Sequence, residues 1–148
     1  MLETELKAFI DVVIRYFSQV TGETVAMGVP YVKAQDPVLL DFTGVIGISG
    51  ARRGCLCVTS PREMLQALAE SLLGPDGRDE AAVADVVGEM ANTIAGNARE
   101  AFGSAFMISV PVVLHGAPSD ITIKLKPPVF VVPIQWRAWR SFLLIGLE

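Results

Sequence analysis

Asp85, Glu89, Asn92 and Gly96 recur at i, i+4, i+7 and i+11 in a stretch otherwise built of Ala, Val, Met and Ile. At about 100° per residue these positions fall on one narrow stripe of a helix, running along roughly three turns. Val83, Val87, Met90, Ile94 and Ala98 gather on the other side and form its core face. A carboxylate can pair with a cation, and an amide can accept from a water through its oxygen while donating through its NH₂. Polar residues on the outer face of an amphipathic helix are also what solvation demands, and the wheel alone does not separate these readings. The composition of the stripe leans one way. Asn favours caps over helix interiors, and Gly96 costs roughly 1 kcal/mol relative to alanine, with Gly88 adding a second such cost. Glycines flanking a polar pair are expected where another molecule's backbone comes close. The face reads as a tool presented to another protein.

Other reactive residue types are better explained blandly. His115, beside Gly116 at a strand end, has no visible partner for general-base work. Cys55 and Cys57 point to one face of a strand, where a bond between them would strain disulfide geometry. With a single histidine in the chain they cannot complete a four-ligand zinc site from one protomer, so they read as reduced, packed cysteines. "GVIGISG" spaces its glycines as neither a dinucleotide fingerprint nor a phosphate loop. Asn97 falls on the inward side of the wheel and is expected as a buried amide bonded to backbone. Arg99, near the outer face, is either solvated or steers an acidic partner. Arg52 and Arg53 are expected as solvated turn residues.

The elements that must position the stripe are legible around it. Apolar residues at helical spacing predict a first helix over residues 3–20, closed by Gly22. Strand-like runs follow over 26–33 and 37–48, the second leading through "SGARRG" into "CLCVTS" as a β-hairpin. "SPRE" predicts a helix start, with Ser60 as N-cap, Pro61 first and Glu63 completing a capping box, for a helix over about 60–73. The stripe lies on a third helix, about 79–102, stopped by Gly103. Strands are expected over 106–115, 121–126, 130–136 and 139–147. This order predicts an α+β architecture with the helices on one face of a mostly antiparallel sheet. The apolar last strands, placed near a sheet edge, would need cover, and a second chain is one remedy.

Composition bounds the rest. A chain of 148 residues is one domain of ordinary size. With 51% hydrophobic and 19% charged residues it folds rather than staying disordered. A net charge of −4 gives no electrostatic footprint for nucleic acid and argues against capture of free phosphate compounds. The start "MLETELKAF" has acids where a secretory signal has basic residues, and no apolar run reaches the ~18 residues of a membrane span, so the expected compartment is the cytoplasm.

The pattern Asp85-x₃-Glu89-x₂-Asn92, followed by Gly96-Asn97, resembles the signature of the CheX/CheC family of chemotaxis phosphatases, most closely its CheX branch. The resemblance spans nearly the whole chain, including "GVIGISGARRGCLCVTS" followed by a helix and the "VPVVLHG" strand after the signature. It implies a single CheX-like domain over 1–148 that hydrolyses the aspartyl phosphate of a CheY-like response regulator. Asn92 would orient the attacking water and Glu89 would ion-pair with the receiver's lysine. Asp85, Gly88, Gly96 and Arg99 would meet the receiver, which would itself supply magnesium, with no cofactor or metal bound by this chain. CheC-type relatives carry a second Glu/Asn pair in the first helix; "FIDVVIRYFSQV" has none, as in the single-site CheX arrangement. Pro111 is the nearest candidate for the family's downstream proline. The resemblance also implies a homodimer through sheet strands. Two other readings stay open: a module of this fold that binds a receiver or dimerises without turnover, and a plain α+β interaction protein.

Overall fold

The computed structural model describes residues 1, 3–33, 39–75, 79–116 and 128–148. The strand expected over 121–126 and the start of the one expected from 37 lie outside these residues. The element order is α1 (Glu3–Thr21), β1 (Ala26–Met27), β2 (Tyr31–Lys33), β3 (Phe42–Gly50), β4 (Gly54–Ser60), α2 (Arg62–Leu73), α3 (Glu80–Phe102), β5 (Phe106–Ile108), β6 (Val112–His115), β7 (Val129–Trp136) and β8 (Trp139–Leu147). The strands form one antiparallel sheet in the order β1-β7-β8-β4-β3-β5, with β2 also pairing β7 and β6 also pairing β3.

Side-chain alternation decides which face of this sheet the helices cover. Leu56 and Val58 of β4, Leu143 and Ile145 of β8, and Val132, Ile134 and Trp136 of β7 share the main core with the helices. Their neighbours Cys57, Val129, Val131 and Leu144 point the other way into a smaller apolar cluster. The expected α+β architecture is therefore the observed one. The tertiary arrangement corrects the placement of the last strands: β7 and β8 lie inside the sheet, and its edges are formed by β1 and β2 on one side and β5 and β6 on the other.

Two other expectations yield to tertiary contacts. Ser60 does not cap α2. It is buried, and its hydroxyl meets the Ser141 hydroxyl at 2.7 Å, while Ser141 donates to the Thr59 carbonyl. Pro61 occupies the cap position with no side-chain bond, and Asp41 Oδ2 accepts from the Arg62 N–H at 2.8 Å instead. A carboxylate from a neighbouring strand end satisfies the free amide as well as a local hydroxyl does. Arg52 is not a solvated turn residue either. It pairs with Glu5, donates to the Glu148 carbonyl and lies over the Phe102 ring, tying the hairpin to α1 and the end of α3.

The strand expected over 106–115 is split. Both halves pair with β3, and Ser109 bridges the break: its N–H donates to the Gly47 carbonyl at 2.9 Å and its hydroxyl accepts from the Gly47 N–H at 2.8 Å. The ladder bond lost at the bulge is thus replaced. Val110 swings outward and is 82% exposed.

Candidate functional site

The stripe is carried by α3, whose ends are set by its own sequence. Asp79 is the N-cap, accepting from the Ala82 N–H at 2.7 Å, and Gly103 closes the helix with φ 92°, donating to the Arg99 carbonyl. Val83, Val87, Met90, Ile94 and Ala98 are buried, as their spacing requires. Burying side chains of this size contributes about 1.5–3 kcal/mol for each larger one, which holds α3 against rotation about its axis.

Asp85 and Glu89 are exposed, and Asn92 and Gly96 are half-buried. The half-burial of Asn92 follows from its position above the seam between α3 and the sheet edge. One turn before it, a Cβ on Gly88 would lie 3.2 Å from Val113 Cγ2 and 4.0 Å from Pro111 Cβ. One turn after it, a Cβ on Gly96 would lie 4.0 Å from Ile108 Cδ1. The amide is nevertheless open. Among the described residues no side chain or backbone group hydrogen-bonds to the Asn92 or Glu89 side chain.

Gly88 departs from its expected place in a partner contact. It is buried, and the space beside it is filled by Val113 of the same chain. Gly96 keeps open room. Arg99 is exposed and donates to the Ser104 carbonyl at 3.1 Å, which ties it to the end of its own helix. Asn97 is half-buried and its side chain makes no hydrogen bond among the described residues, so it is not a buried amide bonded to backbone.

Tyr16 of α1 lies close enough to the stripe to feel the charge of Glu89, a neighbour that the apolar spacing of α1 gives no sign of. Tyr16 is buried, and its pKa is pushed up to about 12, first by burial and then by the charge of Glu89. A phenol is neutral at ordinary pH in any case, and burial beside the carboxylate moves its ionisation further into the alkaline range. Glu89 faces α1 while Gly88 faces β6, so the polar stripe runs between two walls. Ile108 and Val113 form the apolar strand side of the stripe, while Met107 and Val112, both exposed, point to the sheet face turned away from α3. Among the described residues no three His, Cys, Asp or Glu side chains cluster as metal ligands, and no helix is long and apolar enough to cross a membrane.

Residues 42–135 match the family model described as "Chemotaxis phosphatase CheX". No curated protein matches the chain by sequence. Among solved structures, a chemotaxis protein of Desulfovibrio vulgaris Hildenborough is 30% identical, with a TM-score of 0.86 over 98% of this chain and 97% of that one. The chemotaxis protein CheX of Desulfovibrio desulfuricans is 29% identical, with a TM-score of 0.87 over 98% and 99%. The CheX of a CheX–CheY–BeF₃–Mg complex from Borrelia burgdorferi is 19% identical and shares the fold, with a TM-score of 0.76 over 97% of each chain.

Proposed function

This chain belongs to the CheX family of chemotaxis phosphatases, and from that premise we propose that it accelerates hydrolysis of the aspartyl phosphate on a CheY-like receiver, with Asn92 and Glu89 as the working residues. The observation that carries the reading is the state of Asn92: an amide held by a rigid helix, open to solvent and committed to no hydrogen bond within the described chain. An acyl phosphate is already activated, and its hydrolysis depends mainly on positioning a water in line with the leaving oxygen. The amide oxygen accepts one water proton while the NH₂ can donate to a phosphoryl oxygen. Neither group brings the negative charge that a carboxylate would set against the phosphoryl oxygens.

Glu89, one turn earlier and exposed, pairs with a lysine of the receiver and fixes the register of α3 over the phosphoryl group. On this reading the receiver brings its own magnesium ion and this chain needs no metal; the Borrelia complex, which holds CheY, BeF₃ and Mg together with a CheX, supports it. Asp85 and Arg99 lie at the ends of the contact, and Gly96 leaves room for the receiver's loop. The protein would act in the cytoplasm and as a homodimer. Because β7 and β8 are interior, a second copy would pair along one of the two outer edges, where Tyr31 and Val32 or Met107 and Val112 are exposed. Sedimentation of the wild-type chain tests the dimer.

The function is tested by phosphate release from a phosphorylated receiver, run beside binding to the same receiver activated with beryllofluoride. Release and binding together support the phosphatase. Binding without release leaves a receiver-binding module, and neither leaves an interaction protein of this fold.

A further inference from the structure

We propose that Cys55 and Cys57 form a reversible dithiol–disulfide site on the sheet face turned away from the helices, oxidised by hydroperoxides and restored by small thiols. The two sulfur atoms lean toward each other and meet at 3.8 Å. They occupy β4, a central strand, where the residues paired with Cys55 are Gly47 on one side and Gly146 on the other. No side chain is therefore paired directly across from Cys55, which lies at the margin of the smaller apolar cluster. Cys55 is half-buried, so a small oxidant reaches it. Cys57 is buried against Val129, Val131 and Leu144 and is screened from solvent.

This asymmetry sets the order of events. The hydrogen bond from Cys57 holds the Cys55 thiol below its usual range, while that bond and burial push Cys57 up. Cys55 is thus the thiolate that meets the oxidant. Its sulfur attacks the peroxide oxygen, the O–O bond breaks, and a sulfenic acid forms with release of water or an alcohol. Cys57 then attacks Cys55 Sγ: the S–S bond forms, the S–O bond breaks, and the thiol proton of Cys57 leaves with the hydroxide as a second water. Two steps along a strand span about 6.6 Å between Cα atoms, at the upper end of what a disulfide bridges. Closing it pinches β4, so the bond is strained and readily reduced.

The test uses the full chain in its native state. After exposure of the folded chain to hydrogen peroxide, removal of the oxidant and unfolding in denaturant, iodoacetamide should label neither cysteine, the intact mass should fall by two hydrogens, and dithiothreitol added before alkylation should restore both labels. In Cys57→Ser, Cys55 should stop at a sulfenic acid trapped by dimedone; in Cys55→Ser, Cys57 should stay unoxidised. Circular dichroism checks that each variant is folded, and the wild-type result stands without them. Alkylation of both thiols after peroxide, conversion of Cys55 to a sulfinic acid with Cys57 free, or a disulfide found only between chains would each overturn the proposal.

Discussion

The backbone carbonyl oxygen of Val87 lies 2.6 Å from where a Cβ on Gly44 would stand. Helix α3 is therefore seated directly on the backbone of β3, one residue before Gly88 and two before Glu89. Side chains elsewhere in the interface can yield, but a carbonyl inside a helix cannot move without its whole turn. The height of the polar stripe above the sheet is set by the absence of one methyl group.

Gly44→Ala should lower unfolding stability by about 1–3 kcal/mol or more, the cost of forcing extra volume into a packed interface. The Ala91 side chain, 3.1 Å from the same point, leaves no way around. Urea unfolding measures the loss. A stability equal to the parent's would mean that α3 is not seated as described.

Gly88 and Gly96 should respond differently to alanine. Alanine at Gly96 meets only Ile108 at 4.0 Å, so it should gain up to about 1 kcal/mol of helix propensity. Alanine at Gly88 must displace Val113 from 3.2 Å, which offsets that gain. Thermal melts of the two variants compare them, and Gly96→Ala should melt higher. If Gly96 faces a receiver, the same variant should bind the activated receiver less tightly despite its greater stability.

Asn92→Ala should reduce receiver dephosphorylation by at least about 100-fold, the scale of removing one preorganised polar group from a reacting centre. Binding to the beryllofluoride-activated receiver should change little. Turnover that survives the substitution removes Asn92 from the mechanism.

Glu89→Gln keeps the shape of the side chain and removes its charge. Binding should weaken by about 2 kcal/mol or more if the pair with a receiver lysine is desolvated on docking. A titration by fluorescence anisotropy, repeated at high salt, gives the number; a variant that binds like the parent leaves the ion pair without support.

Tyr16 gives a pH signature independent of any partner. Its folded pKa of about 12 lies above the ordinary tyrosine value of 10.0, so folding favours the neutral phenol. The stability this contributes is fully present below pH 10 and is lost as pH rises toward 12. The rise corresponds to about 2–3 kcal/mol. Melting temperature should fall across this window more steeply than in Tyr16→Phe, and Glu89→Gln should soften the slope, since the carboxylate is the second cause of the shift. Parallel profiles in all three proteins would show that Tyr16 does not titrate as described.

What the sequence determined by itself was whatever a local period encodes. The 3.6-residue spacing of Val83, Val87, Met90, Ile94 and Ala98 fixed which side of α3 is buried, and so placed Asp85 and Glu89 outside. Asp79 and Gly103 ended that helix with their own side chain and backbone. Alternation along 139–147 placed Leu143 and Ile145 on one face and Leu144 on the other. Contacts between residues far apart in the chain carry no such period, and the tertiary structure alone decided them. Asp41 reached the start of α2 and released Ser60 to the core, and Val113 filled the space beside Gly88. Packing of α1 against α3 brought Tyr16 to Glu89. The site was legible as a stripe because a helix writes its faces in sequence. Its walls were not, because they come from strands and a helix that only the fold brings beside it.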